Sequence, residues 1–470
     1  MALTKVVPRR LRQSTQSGPP VETRLNRHRF NLPPALRYPA YRYYWLGLLA
    51  SVTGYQMFRV AQAWYVYELT GSPLWLGYAA LANAAPGLVL NLFGGVFADR
   101  LNKRLLVMAT QATAAGIILL LAVLVLLDAA ELWHVMVIVF LAGGVEAFDN
   151  PARQAIYPHL IDRKVMMSAV ALNSSIWSST RIVGPVIAGF VIGWRDTETA
   201  FFAAGAGFAV MAAVMLFLKV PPIPRGGRGN PFQDMLEGLR FIKKNSIFAF
   251  LITMTFFNSF FGMSYVFLIP VFAQEHLGLG PTEYGTLLST SGAGSLIVTF
   301  WLGSKSNASY RGLFIIGGAT LFGMSLIGFG ITSRFVGSYE LALVILFLLG
   351  VFTSIVNISI QSSLQVLVPD AVRGRVMGFY AMTWSIMPLG GMLAGALATI
   401  AVLGAPIAVV IGGSAVAGFA LGPALMNSKV RHLSSLLARS ELGGPPPPAD
   451  QDTSHVLEPG RREPASPGPG

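Results

Sequence analysis

The chain has 470 residues, of which 53% are hydrophobic and only 12% are charged, and its formal net charge is +13 at pH 7. A soluble globular domain carries about 25% charged residues, so this composition argues against a string of soluble domains and indicates a membrane protein. The positive charges lie in connectors between apolar runs, which argues against a nucleic-acid partner. The chain contains no cysteine, which excludes disulfides and thiol chemistry.

Apolar runs that are long enough to cross a bilayer, which takes about 20 residues, recur about twelve times along the chain. They predict an all-α membrane protein with twelve transmembrane helices. The expected limits are 43–68, 74–98, 105–128, 132–157, 165–194, 198–218, 247–274, 282–303, 313–334, 340–366, 374–401 and 403–427. The fifth run is long, so we expect it to be tilted or to begin with an interfacial turn. The polar segment before the first run lacks the apolar core of a cleavable signal peptide.

Lysine and arginine lie almost entirely in the N-terminal segment and in alternate connectors, whereas the opposite connectors contain only Arg195 and Arg334. The positive-inside rule then places both termini in the cytoplasm. The longest internal connector is Pro/Gly-rich at first and then basic and amphipathic, and the tail is Pro/Gly-rich. We therefore predict a cytoplasmic N-terminal segment, a six-helix bundle, a cytoplasmic linker, a second six-helix bundle and a disordered cytoplasmic tail, at 1–42, 43–218, 219–246, 247–427 and 428–470.

Short matches between the two halves indicate an internal repeat. Gln154–Pro158 (QAIYP) matches Gln365–Pro369 (QVLVP), and a basic turn followed by Val-Met comes after each. Two more matches follow the same order at nearly the same offset. This pattern predicts two pseudo-symmetric halves in parallel orientation.

A short basic turn with a carboxylate at its start separates the second and third predicted helices. Its sequence is Gly95-Val-Phe-Ala-Asp99-Arg100-Leu-Asn-Lys103-Arg104. It resembles the cytoplasmic loop between helices 2 and 3 of the major facilitator superfamily, which transports solutes by alternating access. The resemblance implies that Asp99, Arg100 and Arg104 form a cytoplasmic gate that holds helices 2 and 11 together in the outward-open state. The second half has Asn307 in place of the acidic residue, so we expect two unequal gates.

Few ionisable side chains lie within the predicted spans, and each is a functional hypothesis because a charge in hydrocarbon is costly. They are Arg59, Glu146, Asp149, Arg153 and Arg181. Helical spacing gives the first, fourth and fifth helices one polar face each. These faces consist of Tyr55, Gln56, Arg59 and Gln62; of Glu146, Asp149, Asn150 and Arg153; and of Ser174, Trp177, Ser178 and Arg181. Such faces turn toward one another or toward water, so the three helices are expected to line a central pathway.

We expect Glu146 to pair with Arg181, because a rise of about 1.5 Å per residue puts both near the middle of their helices. For Asp149, Arg100 and Arg104 are alternative partners nearer the cytoplasm. Three interpretations of these charges remain open. They form a structural ion pair or gate lock, they contact substrate directly, or Glu146 or Asp149 gains and loses a proton during transport. In the last case, changes in burial and in nearby charge would couple protonation to conformation.

The second half has no charge at midspan. Asn357 and Gln361 occupy the positions equivalent to Glu146 and Asn150, and Asn258 is a further uncharged hydrogen-bonding residue. The predicted substrate-cavity residues are therefore Tyr55, Gln62, Trp177, Asn258, Asn357 and Gln361. The seventh run is Phe-rich, which indicates either packing and lipid contact or an apolar wall for a large amphiphilic substrate.

The fifth predicted helix contains Gly184, Pro185 and Gly189, which is unusual because proline kinks a helix and glycine permits close approach. Close packing is one interpretation. The segment also resembles the Gly-Pro-x-x-Gly element of major facilitator exporters, although the preceding glycine at the usual spacing is missing. That resemblance implies export, with a kink that seals the protein against proton leak.

Two further stretches narrow the resemblance: Trp64–Ser72 (WYVYELTGS) and Asp149–Ala155 (DNPARQA). Together with the basic turn they are similar to the branch that contains the enterobactin exporter and macrolide efflux proteins, over about residues 40–427. The resemblance implies a monomeric, proton-driven exporter of a small organic compound, such as a drug or a siderophore, in a bacterial cell membrane. It implies no cofactor and no metal, and it implies the proton gradient as the energy source.

One departure from this branch bears on the coupling site. Many relatives carry an aspartate just after a glycine early in the first helix, whereas here Gly54 is followed by Tyr55. The expected proton role therefore moves to Glu146 and Asp149.

Three other functions remain open: a metabolite importer with the same fold, a membrane-embedded enzyme and a channel. The histidines lie at predicted interfaces or in the tails, and the chain has neither an H-E-x-x-H nor a G-x-x-x-x-G-K-[ST] sequence. A metalloenzyme and direct use of ATP are therefore not indicated. The repeat and the gate motif favour a carrier over a channel.

Overall fold

The computed structural model describes residues 32–100, 102–218, 220, 239–243, 245–304, 311–400 and 402–426, and these form an all-helical protein. The predicted tails and most of the predicted linker lie outside the described residues. The helices are α1 (Pro39–Thr70), α2 (Pro73–Arg100), α3 (Lys103–Leu126), α4 (Leu132–Ile156), α5 (Met166–Trp194), α6 (Thr197–Phe217), α7 (Ser246–Phe257), α8 (Tyr265–Val271), α9 (Pro281–Ser304), α10 (Arg311–Phe335), α11 (Tyr339–Leu367), α12 (Asp370–Ser385), α13 (Met387–Ala398) and α14 (Gly404–Met426).

The predicted apolar runs correspond to these helices, with two differences. The seventh run is interrupted, because π-helical turns at Asn258–Gly262 and Phe272–His276 flank α8. The eleventh run is divided into α12 and α13 at Ile386, just before Pro388, which has no backbone N–H to continue the helix. The expected interfacial turn before the fifth run is present as a 3-10 turn at Arg163–Val165.

Ten helical segments of the described chain are long and apolar enough to cross a membrane. The segment Tyr339–Leu367 has a mean hydropathy of 2.6, yet only 33% of its most apolar window is buried. Large apolar side chains such as Phe217, Phe300 and Val402 face outward. An outward apolar surface of this extent is stable in lipid and not in water. α1 and α2 are not among the ten segments.

The helices pack in two sets, α1–α6 and α7–α14. In the first set α6 packs on α1 and α3, and α4 packs on α2 and α3; in the second set α11 packs on α9 and α10, and α14 packs on α10. The sets meet where α5 packs on α9 and α2 packs on α13.

Among the described residues, the contacts between the sets lie toward the end of the molecule that carries the connections 71–72, 195–196 and 277–280. We call it the closed end. There the Tyr67 hydroxyl donates to the Glu275 carboxylate, and the Thr282 hydroxyl donates to the Gly189 carbonyl at 3.4 Å. Further along α9, the Ser289 hydroxyl donates to the Ile182 carbonyl at 2.6 Å.

Candidate transport site

A cavity of about 440 Å³ lies between the two helix sets. The first set contributes Tyr55, Arg59 and Gln62 from α1 and Trp177 and Arg181 from α5. These are residues of two of the three predicted polar faces. The second set contributes aliphatic, aromatic and uncharged polar side chains, among them the predicted Asn357. The volume lies within the range of about 300–1,000 Å³ that is usual for small-molecule sites.

The charged residues among the described lining of this cavity are Arg59 and Arg181. Both side chains are accessible, although they lie deep between the helices, because they border the cavity. Arg59 lies over the Tyr55 ring at 5.9 Å from its centroid and also faces Tyr284 of α9. Arg181 faces the Tyr265 hydroxyl of α8. Both guanidiniums therefore project from the first set toward the second.

Glu146 lies behind this cavity, in a second space of about 30 Å³. That space has room for about two water molecules. Tyr55, Asn83 and Trp177 line both spaces, so these three side chains form the wall between them. We call the smaller space the Glu146 chamber.

The expected pair of Glu146 with Arg181 is wrong. The groups that act on Glu146 are the Arg59 guanidinium, the Tyr55 hydroxyl and, more weakly, Arg153 and Asp149. Glu146 of α4 points toward α1, whereas Arg181 of α5 points toward α8 and α9, so the two side chains do not meet. The Tyr55 hydroxyl of α1 contacts the Glu146 carboxyl group of α4.

Asp149 and Arg153 form a buried ion pair within α4, with 2.7 Å between Arg153 Nε and Asp149 Oδ2. The Thr110 hydroxyl of α3 donates a second hydrogen bond to Asp149 at 2.8 Å. Two hydrogen bonds in a buried site satisfy this carboxylate, and they favour a structural role for it. Asn150 of the same predicted face is exposed, where its side chain accepts a bond from Gln154.

The basic turn joins α2 to α3. Asn102 caps α3, because its side-chain oxygen accepts bonds from the backbone N–H groups of Arg104 and Leu105. Arg104 donates to the carbonyls of Met215 and Leu216 at the end of α6, where a cation is favoured by the helix dipole. Arg104 therefore does not take Asp149 as a partner.

The remaining residues of the turn divide into two groups. Lys103 is buried. The side chains of Asp99 and Arg100, the surroundings of Gly95 and the whole of Asn307 lie outside the described part of the chain, so the gate stays a prediction.

The glycines of α5 are sites of close approach. A Cβ at Gly184 would lie 2.6 Å from Gln56 Cβ, and a Cβ at Gly189 would lie 2.4 Å from the Pro281 carbonyl oxygen. Pro185 lines the main cavity, and α5 continues through it. Close packing therefore accounts for both glycines.

The predicted polar residues of the second half lie in different surroundings. Asn258 is fully buried and donates to Asn357 at 3.1 Å, so it positions the cavity residue from behind. Gln361 is exposed and is not among the lining residues. In the Phe-rich region, Phe257 stacks on Phe419 with 4.2 Å between ring centroids, whereas Phe267 lines the cavity. Both interpretations of that region are therefore represented.

Several residues that line the cavity were not predicted from the sequence, namely Asn83, Tyr265, Tyr284, Ser291 and Trp384. The sequence did contain a signal for Asn83, because it is a lone amide in an apolar run. The aromatic residues carried no signal, because tyrosine and tryptophan are common at membrane interfaces.

Solved structures that share this fold include transporters. A bacterial homologue of the human lysosomal transporter Spinster, in an inward-facing and occupied conformation, matches with a TM-score of 0.64 at 13% identity, over 86% of this chain and 98% of that one. The nucleoside transporter NupG matches with a TM-score of 0.61 at 16% identity, over 83% of this chain and 99% of that one. At these identities the likeness shows the fold.

The sequence places the chain in one family of such transporters. The profile of the transmembrane secretion effector family matches residues 32–455. The chain belongs to this family of the major facilitator superfamily, as the resemblance in its motifs predicted.

Characterised relatives are transporters of small molecules. The staphyloferrin A transporter of Staphylococcus aureus is 26% identical over 70% of this chain and 82% of its own length. The enterobactin exporter EntS of Shigella boydii is 24% identical over 83% of this chain and 91% of its own length. Macrolide efflux protein A of Streptococcus pyogenes is 23% identical over 60% of this chain and 70% of its own length.

Proposed function

We propose that this protein is a proton-coupled exporter of a small organic compound, such as a drug or a siderophore, in a bacterial cell membrane. Relatives named as an enterobactin exporter and a macrolide efflux protein support the direction of transport. The cavity between two helix sets supports alternating access, because a site at that interface can be exposed to either side by rocking of the sets.

In this proposal the protein has twelve spans in two six-helix halves, with α1 and α2 added to the ten apolar segments. Tyr55, Arg59 and Gln62 lower the hydropathy of α1, but they face the cavity and not lipid. The positive-inside rule places both termini in the cytoplasm and makes the closed end external. The cavity then faces the cytoplasm, the side from which an exporter collects its substrate.

The observation that carries the proton coupling is the position of Glu146. Its carboxyl group lies in a chamber that Tyr55, Asn83 and Trp177 separate from the substrate cavity. Because these three side chains stand between the carboxyl group and the cavity, their movement would change the access of Glu146 to the water of the cavity. Because that wall is made by α1, α2 and α5, movement of these helices between conformations would tie proton exchange to the transport cycle.

The proposal is tested in everted membrane vesicles that are acidified by respiration and carry a pH-sensitive dye. Siderophores and macrolides are added in turn, and a compound that is exchanged for protons raises the internal pH. We expect at least one compound to do so with the wild-type protein and none to do so with Glu146→Gln. The matched control is Asp128→Asn, which removes a carboxylate from an exposed turn and keeps a residue type that tolerates the positive φ of 52°.

A pH response of the Glu146→Gln variant equal to that of the wild type would refute the role of this carboxyl group. If a compound accumulates only inside right-side-out vesicles, the protein is an importer instead. Size-exclusion profiles and thermal unfolding of each variant establish that a lost response is not lost folding.

A further inference from the structure

The charges that border the cavity define the chemistry of its ligand. Among the described lining residues the charged side chains are two arginines, Arg59 and Arg181, and the nearest carboxyl group, Glu146, lies behind the chamber wall. A cavity with this lining presents positive charge to whatever enters it. Positive charge deep in a membrane protein is costly unless an anion or water compensates it.

Arg181 is the less compensated of the two. Within the part of the chain that the structure describes, no carboxylate lies within 4.0 Å of its guanidinium, and its neighbours are the neutral Tyr265 hydroxyl and the like charge of Arg59. A guanidinium has five N–H donors. One phenol oxygen cannot satisfy them, so most of these donors face the cavity.

Arg59 is held differently. It lies against the Tyr55 ring and between Glu146 and Tyr284. Among the described residues no carboxylate lies within 4.0 Å of Arg59 either, but Glu146 is close enough to act on its charge, whereas no carboxylate acts on Arg181 in the same way. Because the two arginines repel each other, an anionic group between them would be attracted by both.

The rest of the lining is uncharged and combines aliphatic, aromatic, amide and hydroxyl side chains. Tyr55, Trp177, Tyr265, Tyr284 and Trp384 line the same cavity as the arginines, and these rings offer flat apolar surfaces. On the second set, the hydroxyls of Ser295 and Ser354 lie 2.5 Å apart and share a hydrogen bond at the cavity wall. This combination suits a flat aromatic body with an acidic group, since arginine binds carboxylates and similar oxyanions with two parallel hydrogen bonds.

We propose that the substrate is an aromatic organic anion whose acidic group binds Arg181, with Arg59 as the second cation. This inference rests on the proposed export function for its biological meaning, but it concerns equilibrium binding alone. An anionic substrate is consistent with export, because a membrane potential that is negative inside drives an anion outward. Both arginines would repel cationic amphiphiles, so we expect these compounds to be poorer substrates than anions.

The test compares two dyes that share the xanthene ring system and differ in charge: fluorescein, an anion, and rhodamine 123, a cation. Binding to the purified full-length protein in lipid nanodiscs is measured by fluorescence polarisation without a proton gradient. We expect fluorescein to bind at least tenfold more tightly than rhodamine 123. Arg181→Gln is expected to weaken fluorescein binding at least tenfold and to leave rhodamine binding unchanged or stronger, and Arg181→Lys is expected to weaken fluorescein binding less.

The matched control is Arg195→Gln, which removes an exposed arginine that lies on the Trp194 ring outside the cavity. It is expected to bind both dyes as the wild type does. The proposal is overturned if rhodamine 123 binds as tightly as fluorescein, if Arg181→Gln leaves fluorescein binding unchanged, or if folded wild-type protein fails to bind fluorescein at millimolar concentration. A normal pH response of Glu146→Gln in vesicles would remove the proton coupling and leave this binding result intact, so the two failures are distinguishable.

Discussion

Replacing Gly285 by alanine tests whether the closed end is held by close helix packing. A Cβ at this position would lie 2.2 Å from the Pro185 carbonyl oxygen and 3.0 Å from Gly189 Cα, whereas ordinary contacts begin at 3.4 Å. The obstructing atoms belong to the backbone of α5, so they cannot rotate away. α5 and α9 must therefore separate by about 1 Å to restore normal contact distances.

Such overpacking costs about 1–3 kcal/mol. The strain exists only while the closed end is packed, so it shifts the equilibrium between closed and open conformations. The expected shift toward the open conformation is about 5- to 150-fold. The gain in helix propensity from glycine to alanine is the same in both conformations and cancels.

The assay uses the absence of cysteine from the chain. Asp196→Cys and Val336→Cys place one spin label on each helix set at exposed positions of the closed end. Double electron–electron resonance is expected to show a longer distance between the two spin labels for Gly285→Ala than for the parent protein. The control is Gly328→Ala in α10, where an added Cβ meets nothing within 4 Å. An unchanged distance distribution in Gly285→Ala would refute the packing argument.

Two further predictions concern hydrogen bonds of the described residues. Tyr67→Phe removes a hydrogen bond across the closed end. Because such a bond contributes about 1 kcal/mol, the equilibrium between closed and open conformations is expected to shift about fivefold toward opening, measured with the same spin labels. An unchanged distance distribution would show that the bond does not hold the two sets together. Asp149→Asn leaves the buried Arg153 without its counter-charge and is expected to lower stability by about 3 kcal/mol, measured by thermal unfolding in detergent. An unchanged melting temperature would contradict that expectation.

The class of protein and the approximate helix limits followed from local sequence features. Hydrophobic runs of span length and the alternation of basic connectors are properties of the chain itself, and the lipid environment enforces them. The polar faces of α1 and α5 were also predictable, because helical spacing fixes which residues share a side. Tyr55, Arg59, Trp177 and Arg181 lie in one cavity as that spacing indicated.

The partners across helices were not predictable in the same way. Glu146 and Arg181 had similar expected depths, yet Glu146 faces Arg59. Each residue step turns a side chain by about 100° around its helix, and sequence spacing leaves the rotation of one helix relative to another undetermined. The pair of Asp149 with Arg153 is different, because it lies at i and i+4 of one helix and was available from the spacing, although Arg100 and Arg104 were expected as partners.

The sequence by itself determined that this chain is a helical membrane transporter with a few buried charges in its first half. The tertiary structure decided which end is closed, that Tyr55 separates Glu146 from the cavity, and that Arg181 faces the cavity without a carboxylate among the described residues. The physical reason is that burial and hydrophobicity act along each helix, whereas the compensation of a charge depends on atoms that different helices bring within a few ångströms.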